Sequence, residues 1–269
     1  MNSALTTAGI TGRTRVYGIL ADPIYHVKAP EVMGALFARH GVDGVLVPLH
    51  VTADGLAAVM DGLRHLRNFG GFIATVPHKT AMTDLCDALT REAEQIGAVN
   101  CVRREADGRM VGTMLDGIGF VEALRASGLE PRDRSAALAG AGGAASAIAF
   151  ALAEAGVSRL TILNRTADRA RALVERLRTA YPTLAVDAGG AQAEHDLLVN
   201  GTSLGMRPQD PSPFDLSALH DGQFVAEAIM DPETTPLLAA ASAAGCRIQK
   251  GLPMLERQIA LMARHMGAL

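Results

Sequence analysis

Short apolar runs alternate with stretches of helical spacing along the whole chain. Arg15–Leu20, Gly44–Leu49 and Gly71–Val76 have the length and composition of strands. Between them, Pro30–His40, opened by a proline, and Thr52–His65 carry apolar residues at helical intervals, and Lys79–Leu89 predicts a further helix. Asn100–Arg104 and Arg109–Gly112 flank Asp107-Gly108, a hairpin signature. Ile118–Ala126 predicts a linking helix. Residues 135–165 read strand, turn, helix, strand. Later strands are expected at Leu197–Asn200, Phe224–Ile229 and Arg247–Gln249, and Pro253–Met266 predicts a closing helix. Such alternation predicts an α/β fold with mainly parallel strands.

The 269 residues suffice for one large or two modest domains. No repeat or low-complexity linker interrupts them. The boundary is expected near residues 118–128, because a fresh strand–helix–strand unit must start after Pro131. Nearly half the residues are apolar, enough for a sizeable core. A net charge of −3 gives no electrostatic reason to expect nucleic acid, and the absence of tryptophan argues against a base-stacking surface. Cys86, Cys101 and Cys246 are far apart and form no Cys-x-x-Cys. Neither a disulfide framework nor a metal site is expected, and a reducing cytoplasm fits. Met1–Thr7 lacks the basic start and apolar core of a secretory signal. Ala136–Ala155 is about one membrane span long, yet Gly140, Gly142 and Gly143 inside it argue for a turn and against a bilayer helix.

That turn is the most specific signal. Gly140-Ala141-Gly142-Gly143-Ala144-Ala145 follows the apolar run Ala136–Ala139, precedes an alanine-rich helical stretch, and is succeeded by Leu160–Leu163. In this context Gly-x-Gly-x-x-Ala points to a dinucleotide. Gly140 permits the tight turn, Gly142 lets backbone approach a pyrophosphate, and Ala145 keeps helix and strand close. The helix N-terminus supplies unpaired N–H groups for the phosphates. A tight βα turn without ligand is the plainer alternative. The tip of the next strand reads Asn164-Arg165-Thr166, with Arg169 one turn further on. A carboxylate there would favour NAD. Asn164 is neutral, Arg165 and Arg169 suit a 2′-phosphate, and Thr166 is placed to cap the helix and meet phosphate. NADP is favoured, with NAD left open because Asp168 is close by.

Five further segments are polar where packing does not require it: Thr75-Val76-Pro77-His78-Lys79, Gly97-Ala98-Val99-Asn100, residues 112–119 around Asp116, Asn200-Gly201-Thr202-Ser203-Leu204-Gly205-Met206, and residues 251–258 from Gly251 to Gln258. Together with the nucleotide turn they resemble the shikimate dehydrogenase family, in order and over nearly the whole chain. The resemblance implies an N-terminal open α/β substrate domain (1–118, completed by 251–269) and a Rossmann-type, doubly wound nucleotide-binding domain (119–250), with the C-terminal helix returning to the first domain. It implies an NAD(P)-dependent oxidoreductase moving hydride between nicotinamide and a hydroxyl of a shikimate- or quinate-like alicyclic compound, with a place in aromatic amino acid biosynthesis. The expected partner is that small molecule, not nucleic acid or membrane; a monomer and a homodimer both remain open.

Lys79 and Asp116 match the family's catalytic pair. Oxidising a secondary alcohol leaves a hydroxyl proton for a base. Desolvation favours a neutral lysine, a nearby carboxylate the charged one, so which group takes the proton stays open and the pair can titrate as a unit. Thr75, Asn100 and Gln258 match residues that bind substrate hydroxyls. Gly251 matches a position facing the nicotinamide. Thr202 and Met254, with Ala141, Gly143 and Ala144, fall in nucleotide-side motifs.

The match fails around the substrate carboxylate. The family's Ser-x-Ser is here Val27-Lys28-Ala29, its carboxylate-contacting tyrosine is Met230, the Asn before its Val-Thr is Ile73, and its Asn-Thr before the aspartate is Met114-Leu115. A site stripped of such donors loses discrimination for the group they held. Shikimate is therefore expected to be a poor substrate, although Tyr25, His26 or Lys28 remain available to a carboxylate. The alternative is a non-catalytic nucleotide-binding protein, sensor-like, on the same fold.

Overall fold

The computed structural model describes residues 9–189 and 192–269; the segment Met1–Thr7 lies outside the described residues. The chain divides into two compact units. The first comprises residues up to Glu94, Ala98–Thr113 and Ile259–Leu269; the second comprises Gln95–Gly97 and Met114–Gln258.

In the first unit, β1 (Arg15–Ala21), β2 (Gly44–His50) and β3 (Phe69–Ala74) run parallel, with α1 (Ala29–His40) and α2 (Leu56–Arg64) as the crossovers. Proline in the first turn of α1 presets helical φ where an N–H would be orphaned anyway. A turn closed by the Gly55 N–H on the Thr52 carbonyl occupies 52–55, so α2 starts later than its apolar spacing suggests. β3 ends at Ala74, two residues before the expected Val76, because a turn from Thr75 to His78 takes over.

The expected helix Lys79–Leu89 is corrected. Only Met82–Leu85 (α3) is helical, Cys86 is extended, and Ala88–Leu89 (β4) pairs with β6 (Met110–Thr113). Sheet pairing outweighs the local spacing there. α4 (Arg91–Ile96) follows, and β5 (Cys101–Arg104) forms the expected hairpin with β6. The sheet order is β2-β1-β3-β5-β6-β4. Its β3–β5 and β5–β6 pairs are antiparallel and the other three are parallel, so this unit is mixed while the strands of the chain are mainly parallel, as expected.

The second unit starts with α5 (Asp116–Ala126), then β7 (Ser135–Ala139), α6 (Gly143–Glu154), β8 (Arg159–Leu163), α7 (Ala167–Ala180) and β9 (Ala185–Ala188). β10 (Leu197–Asn200), β11 (Phe224–Glu227), α8 (Pro236–Ala243) and β12 (Arg247–Gln249) complete it. The sheet is parallel throughout, ordered β12-β11-β10-β7-β8-β9. Counted from β7, that is the 3-2-1-4-5-6 order of a doubly wound dinucleotide fold. α7 buries Ala170, Leu173, Val174 and Leu177, one apolar stripe at helical spacing. α6 is buried along most of its length and is built from small residues. That permits close approach: a Cβ on Gly117 of α5 would stand 2.2 Å from the Ala147 carbonyl oxygen. α9 (Leu252–His265) begins in this unit and ends in the first. Among the described residues no helix is long and apolar enough to cross a membrane.

Candidate active site

In the first unit the C-terminal ends of the parallel strands gather three chain segments. The Thr75 N–H donates to the Leu20 carbonyl at 3.0 Å, and the Asp22 N–H to the Val76 carbonyl at 3.1 Å. The Ala74 N–H donates to Asn100 at 2.9 Å, and the Val99 N–H to Lys79 at 2.8 Å, both onto backbone carbonyls. Thr75, Lys79, Asn100 and the loop 22–30 are thereby brought to one end of this sheet, where ligands meet open α/β sheets. Asn100 is 1% exposed. Buried His78 meets the Val51 carbonyl at 2.8 Å and fixes the turn that presents Lys79. Lys79 precedes α3, so the expected first-turn helical placement is corrected. Val27 and Lys28 are half-buried, and Ala29 is buried as the first residue of α1.

In the second unit Asp116 opens α5 and is 3% exposed. Gln258, in α9, is 4% exposed. A Cβ on Gly119 would lie 2.9 Å from the Gln258 Cβ and 2.6 Å from the Met254 carbonyl oxygen, so the first turns of α5 and α9 press together there. Gly251 is equally tight: a Cβ would stand 2.2 Å from the Ile229 carbonyl oxygen. That contact brings Gly251 beside half-buried Met230.

The nucleotide turn is assembled at the ends of β7, β8 and β10. Gly140 has φ +115°, and its N–H donates to the Leu163 carbonyl at 2.7 Å. A Cβ there would be 3.1 Å from the Gly201 carbonyl oxygen, so Thr202 follows directly from the same crowded point. Gly142 caps α6, and a Cβ on it would meet nothing within 4 Å. Ala141, Gly143 and Ala144 are partly exposed around it. This open room in front of a helix N-terminus fits a pyrophosphate.

At the β8 tip the Asn164 amide donates to the Thr166 carbonyl at 2.8 Å, and Arg165 and Arg169 are exposed. Thr166 stands at the N-cap of α7 but its side chain makes no cap bond, which corrects that expectation. Asp168 pairs with Arg171, one turn along α7.

Sequence reasoning missed Glu227. It ends β11 with 0% exposure. Burial pushes its carboxyl above the usual carboxylate range, while bonds from Asn200 and Thr235 pull it back. Its only signal in the sequence is a charged residue inside the apolar run Phe224–Ile229. Among the described residues no group of three or more His, Cys, Asp or Glu is placed to hold a metal ion.

Comparison with known proteins identifies the arrangement. The profile of the shikimate dehydrogenase substrate binding domain matches residues 19–102, and that of shikimate / quinate 5-dehydrogenase matches residues 123–204. A protein of Rubrobacter xylanophilus named shikimate dehydrogenase (NADP(+)) is 44% identical, over 93% of this chain and 89% of its own length. The chain belongs to the shikimate dehydrogenase family. Among solved structures, shikimate 5-dehydrogenase from Thermus thermophilus, in complex with NADP(H) and shikimate, is 33% identical with a TM-score of 0.85, covering 95% of this chain and 94% of that one. A solved structure of a different name is also similar: the 5-ketofructose reductase of Gluconobacter sp. strain CHM43 is 31% identical with a TM-score of 0.82, covering 94% of this chain and 93% of that one.

Proposed function

We propose that this shikimate dehydrogenase family member is an NADP-dependent alcohol dehydrogenase or ketone reductase whose substrate is a polyhydroxylated ring or sugar without a recognised carboxylate. Three observations support the cofactor. There is open room at Gly142 before α6, exposed Arg165 and Arg169 stand at the β8 tip, and Arg171 engages the carboxylate of Asp168. Gly140 to Ala144 and Thr202 would hold the phosphates, and Gly251 and Met254 would face the nicotinamide. The nicotinamide, when bound, supplies hydride transfer.

The chain's own residues handle the proton and the hydroxyls. Lys79 and Asp116 take the hydroxyl proton during oxidation and return it during reduction. Thr75, Asn100 and Gln258 bond neighbouring hydroxyls. Asn100 and Gln258 are buried amides, each able to donate and accept, as a ring of hydroxyls demands.

The substrate reading rests on one observation: Val27, Ala29, Ile73, Met114, Leu115 and Met230 present hydrocarbon where the family presents polar groups. Hydrocarbon side chains offer a carboxylate no hydrogen bond, and a buried carboxylate without one is costly. The similar 5-ketofructose reductase is named for a keto sugar, a compound with no carboxylate. The 44% identical relative, named shikimate dehydrogenase, favours a second reading, shikimate itself, with Lys28 meeting its carboxylate.

Steady-state kinetics with NADPH and NADP decide between them, using shikimate, quinate and a panel of neutral cyclic polyols and keto sugars. The proposal expects the highest kcat/KM on a neutral compound. A shikimate kcat/KM of about 10⁶ M⁻¹s⁻¹, in the usual enzyme range, refutes it. NADPH binding without turnover of any compound, unchanged by Lys79→Ala, would establish the non-catalytic alternative.

A further inference from the structure

We propose that Glu227 is a positioning residue for the nucleotide: it touches neither cofactor nor substrate, but fixes the loop that carries Thr202. The inference rests on the reading above that this loop faces the nucleotide. Its geometry lies wholly within the second unit.

One carboxylate oxygen, Oε1, accepts a hydrogen bond from Asn200 Nδ2 at 2.9 Å. The other, Oε2, accepts from Thr235 Oγ1 at 2.7 Å. Asn200 Nδ2 spends its second hydrogen on the Leu204 carbonyl, also at 2.9 Å. The opposite side of the same amide, Oδ1, accepts from the Thr202 N–H at 3.0 Å and from Thr202 Oγ1 at 2.6 Å. Thr202 Oγ1 in turn accepts from the Leu204 N–H at 3.0 Å. Four of these bonds are made by the Asn200 amide itself and depend on which way it points.

An asparagine amide is nearly symmetric in shape, and packing alone does not choose between its two orientations. Charge does. An ionised carboxylate only accepts. It holds Nδ2 toward β11 and leaves Oδ1 toward Thr202. A flipped amide would set oxygen against carboxylate and NH₂ against the Thr202 N–H, losing bonds at both ends. Glu227 thus acts across the end of the sheet, from β11 to the loop after β10. A second task is attached to its other oxygen. Thr235 caps α8 by accepting from the Leu238 N–H at 3.2 Å, and Glu227 orients that hydroxyl. A buried acid is an expensive way to fill space. Methionine would fill the same volume without dictating any polarity.

Glu227→Met and Glu227→Gln separate the roles. Glutamine can still turn its Oε1 toward Asn200 and offer its NH₂ to Thr235, so it should preserve the amide orientation. Direct titration of NADPH, followed by its fluorescence, is expected to give Glu227→Met a Kd weaker by about tenfold or more, the scale of a lost charged hydrogen bond. Glu227→Gln should stay within about threefold of the parent. At saturating NADPH, kcat for Glu227→Met should lie within about twofold of the parent, so that the defect is in affinity and not in chemistry. Thr235→Ala removes the cap and one carboxylate partner but leaves Asn200 in place. It should lower the melting temperature with little change in Kd.

An unchanged Kd in Glu227→Met overturns the proposal, as does a Kd for Glu227→Gln as weak as for Glu227→Met. Should Glu227→Met fail to fold, Asn200→Ser removes the amide while keeping the Glu227–Thr235 bond, and the same weakening is expected of it. A parent protein that binds no NADPH would sink the cofactor reading instead, a result distinguishable from failure of the Glu227 variants alone.

Discussion

Gly142→Ala and Gly140→Ala sit two residues apart in the nucleotide turn and should fail in different ways. Gly142 has φ −89° and ψ −175°, extended backbone open to any residue, and a Cβ there meets nothing within 4 Å. Alanine restricts the unfolded chain, worth about 0.4–1 kcal/mol of stability. It is also the poorer N-cap, by about 0.5–1 kcal/mol. These terms offset, so the melting temperature should move by less than about 2 °C, given about 2–4 °C per kcal/mol for a domain of this size. The new methyl would occupy the room proposed for a pyrophosphate. Overpacking costs about 1–3 kcal/mol, which is about 5- to 150-fold in NADPH affinity. Gly140→Ala meets φ +115°, with its Cβ 3.0 Å from Ala145 Cβ and 3.1 Å from the Gly201 carbonyl oxygen. Strain of about 1–3 kcal/mol should lower the melting temperature by about 2–12 °C, with or without nucleotide. Thermal melts and NADPH fluorescence titrations read both quantities. Wild-type NADPH affinity in Gly142→Ala would refute the assignment of this turn as the phosphate cradle. An unshifted melt for Gly140→Ala would refute the backbone argument.

Other substitutions probe the remaining links. Arg165→Ala should weaken NADP by about 1–3 kcal/mol and NAD less; equal losses would mean the guanidinium does not read the 2′-phosphate. Val27→Ser with Ala29→Ser restores the hydroxyls the family carries, and should raise kcat/KM on shikimate by about tenfold or more, since each hydrogen bond to a charged group is worth about 1.5–3 kcal/mol. No gain would show that this loop does not read the carboxylate. Burial pulls the His265 imidazole below its ordinary value, and its Nε2 meets the Val111 carbonyl at 3.0 Å. The unfolded chain then takes up this proton at higher pH than the folded one, so the stability His265 contributes is present above about pH 6.5 and is lost as pH falls. His265→Gln should therefore flatten the decline in melting temperature between about pH 7.5 and 5.5, and an unchanged slope would remove His265 as its cause.

The elements legible in the sequence are those whose local pattern and tertiary setting agree. Residues 135–165 are an example: the apolar run, the glycines and the alanine-rich helix all demand one arrangement, and β7, α6 and β8 match it. Lys79–Leu89 shows the opposite. Its spacing suits a helix, but the Asp87 N–H bonds the Met110 carbonyl at 2.8 Å and Ala88–Leu89 joins the sheet, a partner that no local window contains. α8 escapes a reading by periodicity although Thr235-Pro236 is a well-formed start signal, with threonine at the cap and proline at the first helical position. Its alanines carry too little polarity to reveal a face. For the site, named motifs supply the catalytic and nucleotide candidates, whereas Glu227 is hidden because its importance lies in what Asn200 does at the end of the neighbouring strand.

The polar residues of this chain sort by task in a way that bears on how its specificity arose. Asn100, Asp116, Gln258 and Glu227 are all buried, and a buried polar group destabilises unless it is bonded. Each of them is proposed to serve the reacting hydroxyl, its neighbours or the nucleotide loop. The positions that carry hydrocarbon, Val27, Ala29, Ile73, Met114, Leu115 and Met230, are those proposed to have lost recognition of a carboxylate. Loss of those polar groups leaves the proton handling proposed for Lys79 and Asp116 untouched, because general acid–base groups act on an alcohol or ketone whatever the rest of the ring carries. It removes instead the strongest source of discrimination, a donor set that an uncharged compound would leave unpaired and a carboxylate would satisfy. Apolar walls penalise a carboxylate and tolerate a neutral ring. On that argument the family's chemistry can be kept while its substrate is exchanged, and the two-serine reversal at positions 27 and 29 is the shortest path back.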